Sequence, residues 1–414
     1  MDVRIGIPQL GGFGDLVAAV KIGESLSNEG HAVIYVGEVN VAQKAKIIFP
    51  DVNVFDYKRH TSNIEALQIN VVARLLEEEH MMNIYVREFD KDHIEDRGIL
   101  VVPGMYDNGN RNGRVRKNNE DMVVGRYGMG APMLYAPYCK DKLPIPKENI
   151  RDIITENAKY RKGTRISRIL DSCSKIGVCY TSQEASAAMI VHQLRLAASE
   201  SMKYGIVVIP SDYDTEHYLR GEFEGVCGFT SISSDGKVIG KTNEDVFIIV
   251  LPHQDQTTAT RLFRASEMPN TVTGDNSLSD SIYSLVFENG QGFFYEERQW
   301  KRNTMRGMVD IMAAHCAEAR DIFVQGSHLM YNSVNGNPIA EMLTTNSTEY
   351  YARLQREAFR RALRCDEKSD PRSVTVQGNV CRLVAAIEAY PDIVRKENIS
   401  HREHLVKGRK LAVA

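Results

Sequence analysis

Twice along its 414 residues the chain runs through the same alternation of short β-branched apolar runs and stretches with apolar residues three to four apart. VRIGIP (3–8) reads as a buried strand, and residues 14–29 as a helix, with Val17, Val20, Ile22 and Leu26 near helical spacing and Gly30 at its end. HAVIYVGE (31–38) is a second strand, VAQKAKIIF (41–49) a short helix and VNVFDY (52–57) a third strand. Residues 63–80 read as a longer amphipathic helix, with MNIYVREF (82–89) and GILVVPG (98–104) as further strands. The cycle restarts with KIGVCYT (175–181), a helix over 183–203, YGIVVIPSD (204–212), DVFIIVLPH (245–253), a helix over 257–267, NTVTGD (270–275), SLSDSIYSLVF (277–287) as a helix and QGFFYEE (291–297). Strands joined by helices imply parallel sheets covered on both faces. The expected fold class is therefore α/β: two doubly wound, Rossmann-like parallel-sheet domains facing a cleft, with a helical C-terminal region.

Expected boundaries follow the breaks in this pattern. An N-terminal domain covers 1–150, a charged helical connector 151–172, a second α/β domain 173–298 and a helical region 299–414. Residues 106–140 include YDNGNRNGRVRKNNED, too polar to bury, and read as an exposed loop. Formal net charge is −3, which gives no global attraction to nucleic acid or an anionic membrane. No apolar run approaches ~18 residues, so no span is expected. MDVRIGIP lacks a basic stretch followed by an apolar core, so no signal peptide is expected. Seven scattered cysteines without a CxxC pair suit free thiols and a cytoplasmic location.

In open α/β sheets, ligands bind outside the carboxyl ends of the strands. Four segments sit there: Gly11–Asp15, Tyr180–Gln183, His253–Gln256 and Gly274–Ser277. The first, GGFGD, is compatible with a tight turn, a dinucleotide loop, or a loop where bare backbone approaches a ligand and Asp15 stands over the cleft. Val17 occupies the third glycine position of the dinucleotide pattern and disfavours that reading, although Glu38 suits a ribose-binding acid. The last segment precedes a helix expected to start near Leu278. It reads either as an ordinary cap, with Asn276 or Ser277 capping, or as an anion site built from helix N-terminal amides. His315 beside Cys316 and the YDTEHY cluster around His217 lack companions at metal-ligand spacing, so no metal is expected.

These motifs resemble those of GT-B glycosyltransferases, and within them the protein-arginine rhamnosyltransferases that modify elongation factor P. That family carries D-N-F-G-D after its first strand, where this chain has Gly11-Gly12-Phe13-Gly14-Asp15. VLPHQDQTTATRLFRASEM (250–268) is similar to its L-P-x-D segment and following helix. Thr273-Gly274-Asp275-Asn276-Ser277 occupies the place of its R-G-E-D-S, and ENGQGFFYEERQW (288–300) is similar to its next apolar strand. The likeness involves about 50 residues. It departs where Gly11 replaces the family's first aspartate, Thr273 its arginine and Asp275 its glutamate.

The resemblance implies transfer of a sugar from a nucleotide-diphosphate sugar to an acceptor, which in the family is a protein side chain. It also implies that the end of the helical region, 372–412, returns to the first domain. It makes Asp15 and Asp275 the catalytic candidates. Thr181, Ser182, His253, Gln254, Gly274, Asn276 and Ser277 are the donor-binding candidates. No cofactor beyond the co-substrate is expected. Without a metal, the departing diphosphate must be met by amides, hydroxyls and cations, for which Arg261 and Arg264 are charged candidates. Asp15 acting as base on the face opposite the leaving group implies inversion. A sugar-nucleotide epimerase and a non-catalytic nucleotide-sugar binding protein remain alternatives on the same architecture.

Overall fold

The computed structural model describes residues 2–7, 14–56, 67–72, 99–103, 134–138, 148–156, 163–182, 190, 203–210, 215–223, 229–232, 238–239, 246–252, 254–296, 302–328, 348–366 and 368–389; of Asp15 and Asp275 only the backbone is described. The chain divides into two compact units. Unit 1 takes its described residues from 2–138 and 370–389, unit 2 from 148–369.

In unit 1, strands β1 (Asp2–Ile7), β2 (Ala32–Gly37), β3 (Val54–Asp56), β4 (Leu67–Val72) and β5 (Ile99–Pro103) form a sheet in the order β3-β2-β1-β4-β5, and every pairing is parallel. β1 lies at the centre, with Ile5 opposite Tyr35 on one side and Ile69 on the other. Its Val3, Ile5 and Ile7 are almost wholly buried, as a strand covered on both faces requires. Helix α1 (Gly14–Asn28) buries Leu16, Val17, Val20, Ile22 and Leu26 against this sheet, and α2 (Val39–Ile48) buries Val41, Ala45 and Ile48.

The helix expected over 63–80 is corrected by β4. Leu67, Ile69 and Val71 recur every second residue, and the ladder bonds open to that segment beside β1 outweigh the helical spacing of the residues around it. The strand expected over 82–89, residues 106–133 of the expected exposed loop, Trp300 and nearly all of the helix 183–203 lie outside the described residues. Residues 134–138 of that loop are instead buried, which corrects the exposed reading there.

Unit 2 opens with two short helices, α3 (Ile150–Glu156) and α4 (Arg165–Ser172). Its sheet comprises β6 (Lys175–Tyr180), β7 (Tyr204–Val208), β8 (Phe229–Ile232), β9 (Val238–Ile239), β10 (Val246–Val250), β11 (Asn270–Val272) and β12 (Phe293–Tyr295), in the order β12-β11-β6-β7-β10-β8-β9. All pairings are parallel except β8 with β9. Helices α5 (Thr215–Phe223), α6 (Gln256–Ala265) and α7 (Asp275–Phe287) connect these strands. Residues 215–218 of the YDTEHY cluster thus open helix α5, with His217 exposed on it.

Helices α8 (Arg302–His315), α9 (Ala317–His328) and α10 (Thr348–Leu363) belong to unit 2, as do α3 and α4. The edge strand β12 is covered by α10. Gln355 accepts from Phe293 N–H at 2.9 Å and donates back to Phe293 O at 3.1 Å. The Tyr351 hydroxyl donates to the same carbonyl at 2.9 Å, and its ring stacks on Phe294 with centroids 5.0 Å apart. Side chains thereby replace the missing neighbouring strand, which removes an open edge.

The last described helix, α11 (Val376–Ala389), packs on α1 in unit 1. Val376, Val380 and Val384 join the core of α1 and β1. Gln377 clasps residue 136 from both sides, accepting from Ala136 N–H and donating to Ala136 O, each at 2.9 Å. Arg372 pairs with Glu29 at 2.7 Å. Among the described residues no helix is long and apolar enough to cross a membrane.

Candidate functional site

Both sheets reverse their strand order beside their first strand. In unit 1 the chain steps outward from β1 to β2 and β3, then returns on the other side with β4. Such a switch point opens a crevice at the carboxyl end of the strand. The segment leaving β1 there is Gly11–Asp15. Gly14 and Asp15 open α1. Gly11, Gly12, Phe13 and the Asp15 side chain lie outside the described residues.

In unit 2 the switch falls between β6 and β11. The ladder continues one residue beyond each strand: Thr273 N–H donates to Tyr180 O at 2.7 Å, and Glu296 N–H to Val272 O at 2.9 Å. Thr181, Ser182, Thr273, Gly274 and Glu296 therefore gather at the carboxyl ends of three adjacent strands. Glu296 is only 2% exposed. Its Oε2 accepts from Ser182 N–H at 2.6 Å, and its Oε1 from the Ser182 hydroxyl. A buried carboxylate is stable only with such partners, and here it fixes the turn that leaves β6. The Thr181 hydroxyl lies 3.4 Å from Cys179 Sγ.

Across the switch, Gly274 is the N-cap of α7, with φ +83° and ψ 155°. This is left-handed territory that a side chain resists, so the glycine lets β11 turn directly into the helix. The helix starts at Asp275, three residues before the expected Leu278, and its N-cap, Gly274, supplies no side-chain cap. The capping reading for Asn276 or Ser277 is corrected accordingly. Ser277 lies within the first turn and its hydroxyl donates back to Thr273 O at 2.5 Å, with Gly274 O at 3.1 Å. The intrahelical ladder begins with Leu278 N–H to Gly274 O at 3.2 Å, so the amides of 275–277 precede it. Thr273 is 6% exposed, and its Oγ1 has no hydrogen-bond partner among the described residues.

The remaining candidates are placed as follows. His253 lies outside the described residues. The Gln254 amide donates to Pro252 O, and Asp255 caps α6 by accepting from Thr258 N–H at 2.7 Å. Asp280, wholly buried one turn into α7, accepts from Thr260 Oγ1 at 3.2 Å.

The two arginine candidates serve the scaffold. Arg261 is gripped by Glu148 and Glu156, with Nε to Glu148 Oε1 at 2.8 Å and Nη1 to Glu156 Oε2 at 2.8 Å. These carboxylates raise its pKa further, and Arg261 in turn lowers that of Glu156. Arg264 is 7% exposed and forms a two-pronged pair with Glu288, at 2.7 and 2.5 Å. Burial pushes the Glu288 carboxyl up, while Arg264 pulls against that shift.

Sequence reasoning did not single out Glu296 or a buried Thr273. The first looks like one of two acids closing FFYEE. The second stands where the resembling family has arginine, so only its burial reveals it.

The site offers one anion-ready feature, the glycine-opened start of α7 with a buried hydroxyl beside it in sequence. No metal is held by three or more His, Cys, Asp or Glu side chains among the described residues.

No protein-family model matches the chain. No curated protein matches it. Among solved structures it is similar to SsfS6, a Streptomyces sp. SF2575 glycosyltransferase, with 10% identity over 93% of this chain and 99% of that one, at a TM-score of 0.41. It is similar also to the spinosyn rhamnosyltransferase SpnG complexed with thymidine diphosphate, with 10% identity over 93% and 100% and a TM-score of 0.40. A third is Acinetobacter baumannii MurG, with 8% identity over 93% and 99% and a TM-score of 0.42.

Proposed function

We propose that the chain is a GT-B type glycosyltransferase that moves a sugar from a nucleotide-diphosphate sugar to an acceptor. The observation that carries this reading is the β11–α7 junction. A helix N-terminus opened by glycine presents amides and positive dipole to an anion, and the neighbouring buried Thr273 Oγ1 has no partner among the described residues. A bound diphosphate would supply that partner.

The donor diphosphate takes the amides of 275–277 and the Thr273 hydroxyl. Ser182 and Ser277 act as supports, because their protons are directed at Glu296 and at Thr273 O. Ser182 fixes the turn after β6, and Asn276, Thr181 and Gln254 complete the donor surface. Preorganised dipoles of this kind stabilise the negative charge that develops on the leaving diphosphate, and the proposed reaction needs no metal. Asp15, and Asp275 in the resembling motif, are the proposed catalytic acids. Asp15 takes the proton from the acceptor while the acceptor atom bonds to the anomeric carbon and the diphosphate oxygen leaves from the opposite face, which inverts that carbon. A protein side chain is the proposed acceptor, on the resemblance to the arginine rhamnosyltransferases.

Thermal unfolding against a panel of nucleotide-diphosphate sugars and free nucleoside diphosphates tests the reading. Binding at a hundred times Kd stabilises by about 2.7 kcal/mol, so the correct donor raises the midpoint by several degrees. A panel that leaves the midpoint unmoved throughout removes the proposal.

A further inference from the structure

Helix α10 carries Arg353, Arg356, Arg360 and Arg361, and Arg364 follows its end. Positions 353, 356, 360 and 364 recur at three to four residues and share one helix face. Two of these arginines are pinned. Arg356 donates through Nε to Leu285 O at 2.8 Å and through Nη2 to Gly290 O at 3.0 Å. Arg360 donates through Nε and Nη2 to Val286 O, at 2.9 and 2.8 Å. Both therefore cap the C-terminal end of α7, where a cation suits the negative end of the dipole.

Capping accounts for two guanidiniums and leaves the rest of the cluster unexplained. Arg361 is balanced by Glu357. Arg353 lies over the Tyr350 ring, 5.1 Å from its centroid. Arg364 ends the helix with φ +52°, a backbone that glycine usually supplies. Neither the Arg353 nor the Arg364 side chain donates a hydrogen bond to a described residue. All five arginines line one cavity of about 420 Å³, together with Glu357, Cys365 and Asp366. Asp366 is engaged by its own turn, accepting from Lys368 N–H at 2.9 Å and from Ser369 Oγ at 3.0 Å. Five positive groups thus face two carboxylates that already have partners. Burial and the nearby Arg360 both hold the Arg356 guanidinium below its ordinary pKa.

We propose that this cavity binds a small anion of phosphate chemistry carrying two or more charges. Planar guanidinium forks match phosphate oxygens in pairs. Because the carbonyls of α7 hold Arg356 and Arg360 in place, little side-chain freedom is lost on binding. The Nη1 groups of both face no described acceptor. The site lies on the C-terminal side of α7 and is distinct from the junction proposed for the donor.

Calorimetric titration of the full chain with inorganic pyrophosphate tests this, in wild type and two variants. Arg353→Gln/Arg364→Gln leaves both α7 caps intact, and Asn276→Ala/Ser277→Ala alters the other end of that helix. A tenfold or greater loss of affinity in the arginine variant, with affinity kept in the other, supports the cavity. Unchanged affinity in Arg353→Gln/Arg364→Gln overturns it. So does a loss confined to Asn276→Ala/Ser277→Ala, which would assign pyrophosphate to the junction. Unliganded melting midpoints confirm that each variant folds; if the double arginine variant does not, Arg364→Gln alone serves the same comparison.

Discussion

Ser182 holds the buried Glu296 carboxylate with two groups at once, its backbone amide at 2.6 Å and its hydroxyl. Residues 114 positions apart in sequence are thereby joined at the carboxyl ends of β6 and β12. Replacing Glu296 by Ala leaves a buried amide without an acceptor, a loss of about 1–3 kcal/mol. Glu296→Gln keeps one acceptor oxygen and loses less. Urea denaturation of both variants checks the order; equal losses would mean that the remaining amide oxygen of Gln does not replace the carboxylate as the acceptor for Ser182.

Thr273→Val separates binding from stability. The methyl replaces a buried hydroxyl that has no partner among the described residues, so stability should stay level or rise slightly. A diphosphate at the β11–α7 junction would lose a hydrogen bond worth about 0.5–1.5 kcal/mol, a weakening of about two- to tenfold. Calorimetry with the best nucleoside diphosphate reads the second effect, and thermal unfolding the first. Equal affinity for wild type and variant would remove Thr273 from the site.

Asp15→Asn removes the charge and the basic oxygen while preserving size. If Asp15 takes the acceptor proton, turnover falls by about 10²–10⁴ and donor affinity barely moves. A variant with near-normal transfer would return GGFGD to the role of a tight turn.

The legibility of these features differed for physical reasons. β1, β2, β6, β7 and β10 announced themselves because strands of a covered parallel sheet need mostly apolar, β-branched runs; FIIVL supplies one outright, and VRIGIP supplies one interrupted only by Arg4. β4 was hidden because Leu67, Ile69 and Val71 sit within a longer stretch whose apolar residues also recur at helical spacing; pairing with β1 decides the outcome, and that is not a local property. The β8–β9 hairpin is too short for a periodicity to emerge. The glycine turn at Gly274 was readable from sequence, but the helix start was not: it lies at Asp275, three residues before the expected Leu278, because only the positive φ of Gly274 lets the helix begin there. The arginines of α10 look like a solvated stripe until the carbonyls of α7 are placed beneath them.

Glu288 predicts a pH dependence. Its carboxyl is raised above the ordinary 4.5 by burial, so the folded state holds that proton more tightly than the unfolded chain. Its stabilising contribution is complete below 4.5 and fades as pH rises through the folded value. Wild type should therefore gain relative to Glu288→Gln on acidification, which urea titrations from neutral pH to about 4.5 would show. Arg264→Met, which strands the carboxylate, should cost about 3 kcal/mol or more near neutrality. Parallel pH profiles for wild type and Glu288→Gln would contradict the shift.

Gly378→Ala reverses a familiar sign. Inside an exposed helix this change stabilises by about 1 kcal/mol. Here the added Cβ would lie 2.1 Å from Arg372 O and 2.6 Å from its Cα, so backbone must move, at about 1–3 kcal/mol. Gln377→Ala should cost a similar amount by stranding the amide and carbonyl of Ala136. Chemical denaturation, followed by a probe in unit 1, measures both.

The clasp between Gln377 and Ala136 spans 241 residues of chain. At about 5–20 residues per second on the ribosome, the helix that completes the first core emerges roughly 20–75 s after β1, which it helps to cover. Unit 2, whose described residues all fall within 148–369, has all of them earlier. The half of the molecule that is made first is thus the half that finishes last, and until then its Val17 and Val20 wait for Val380 and Val384 to cover them.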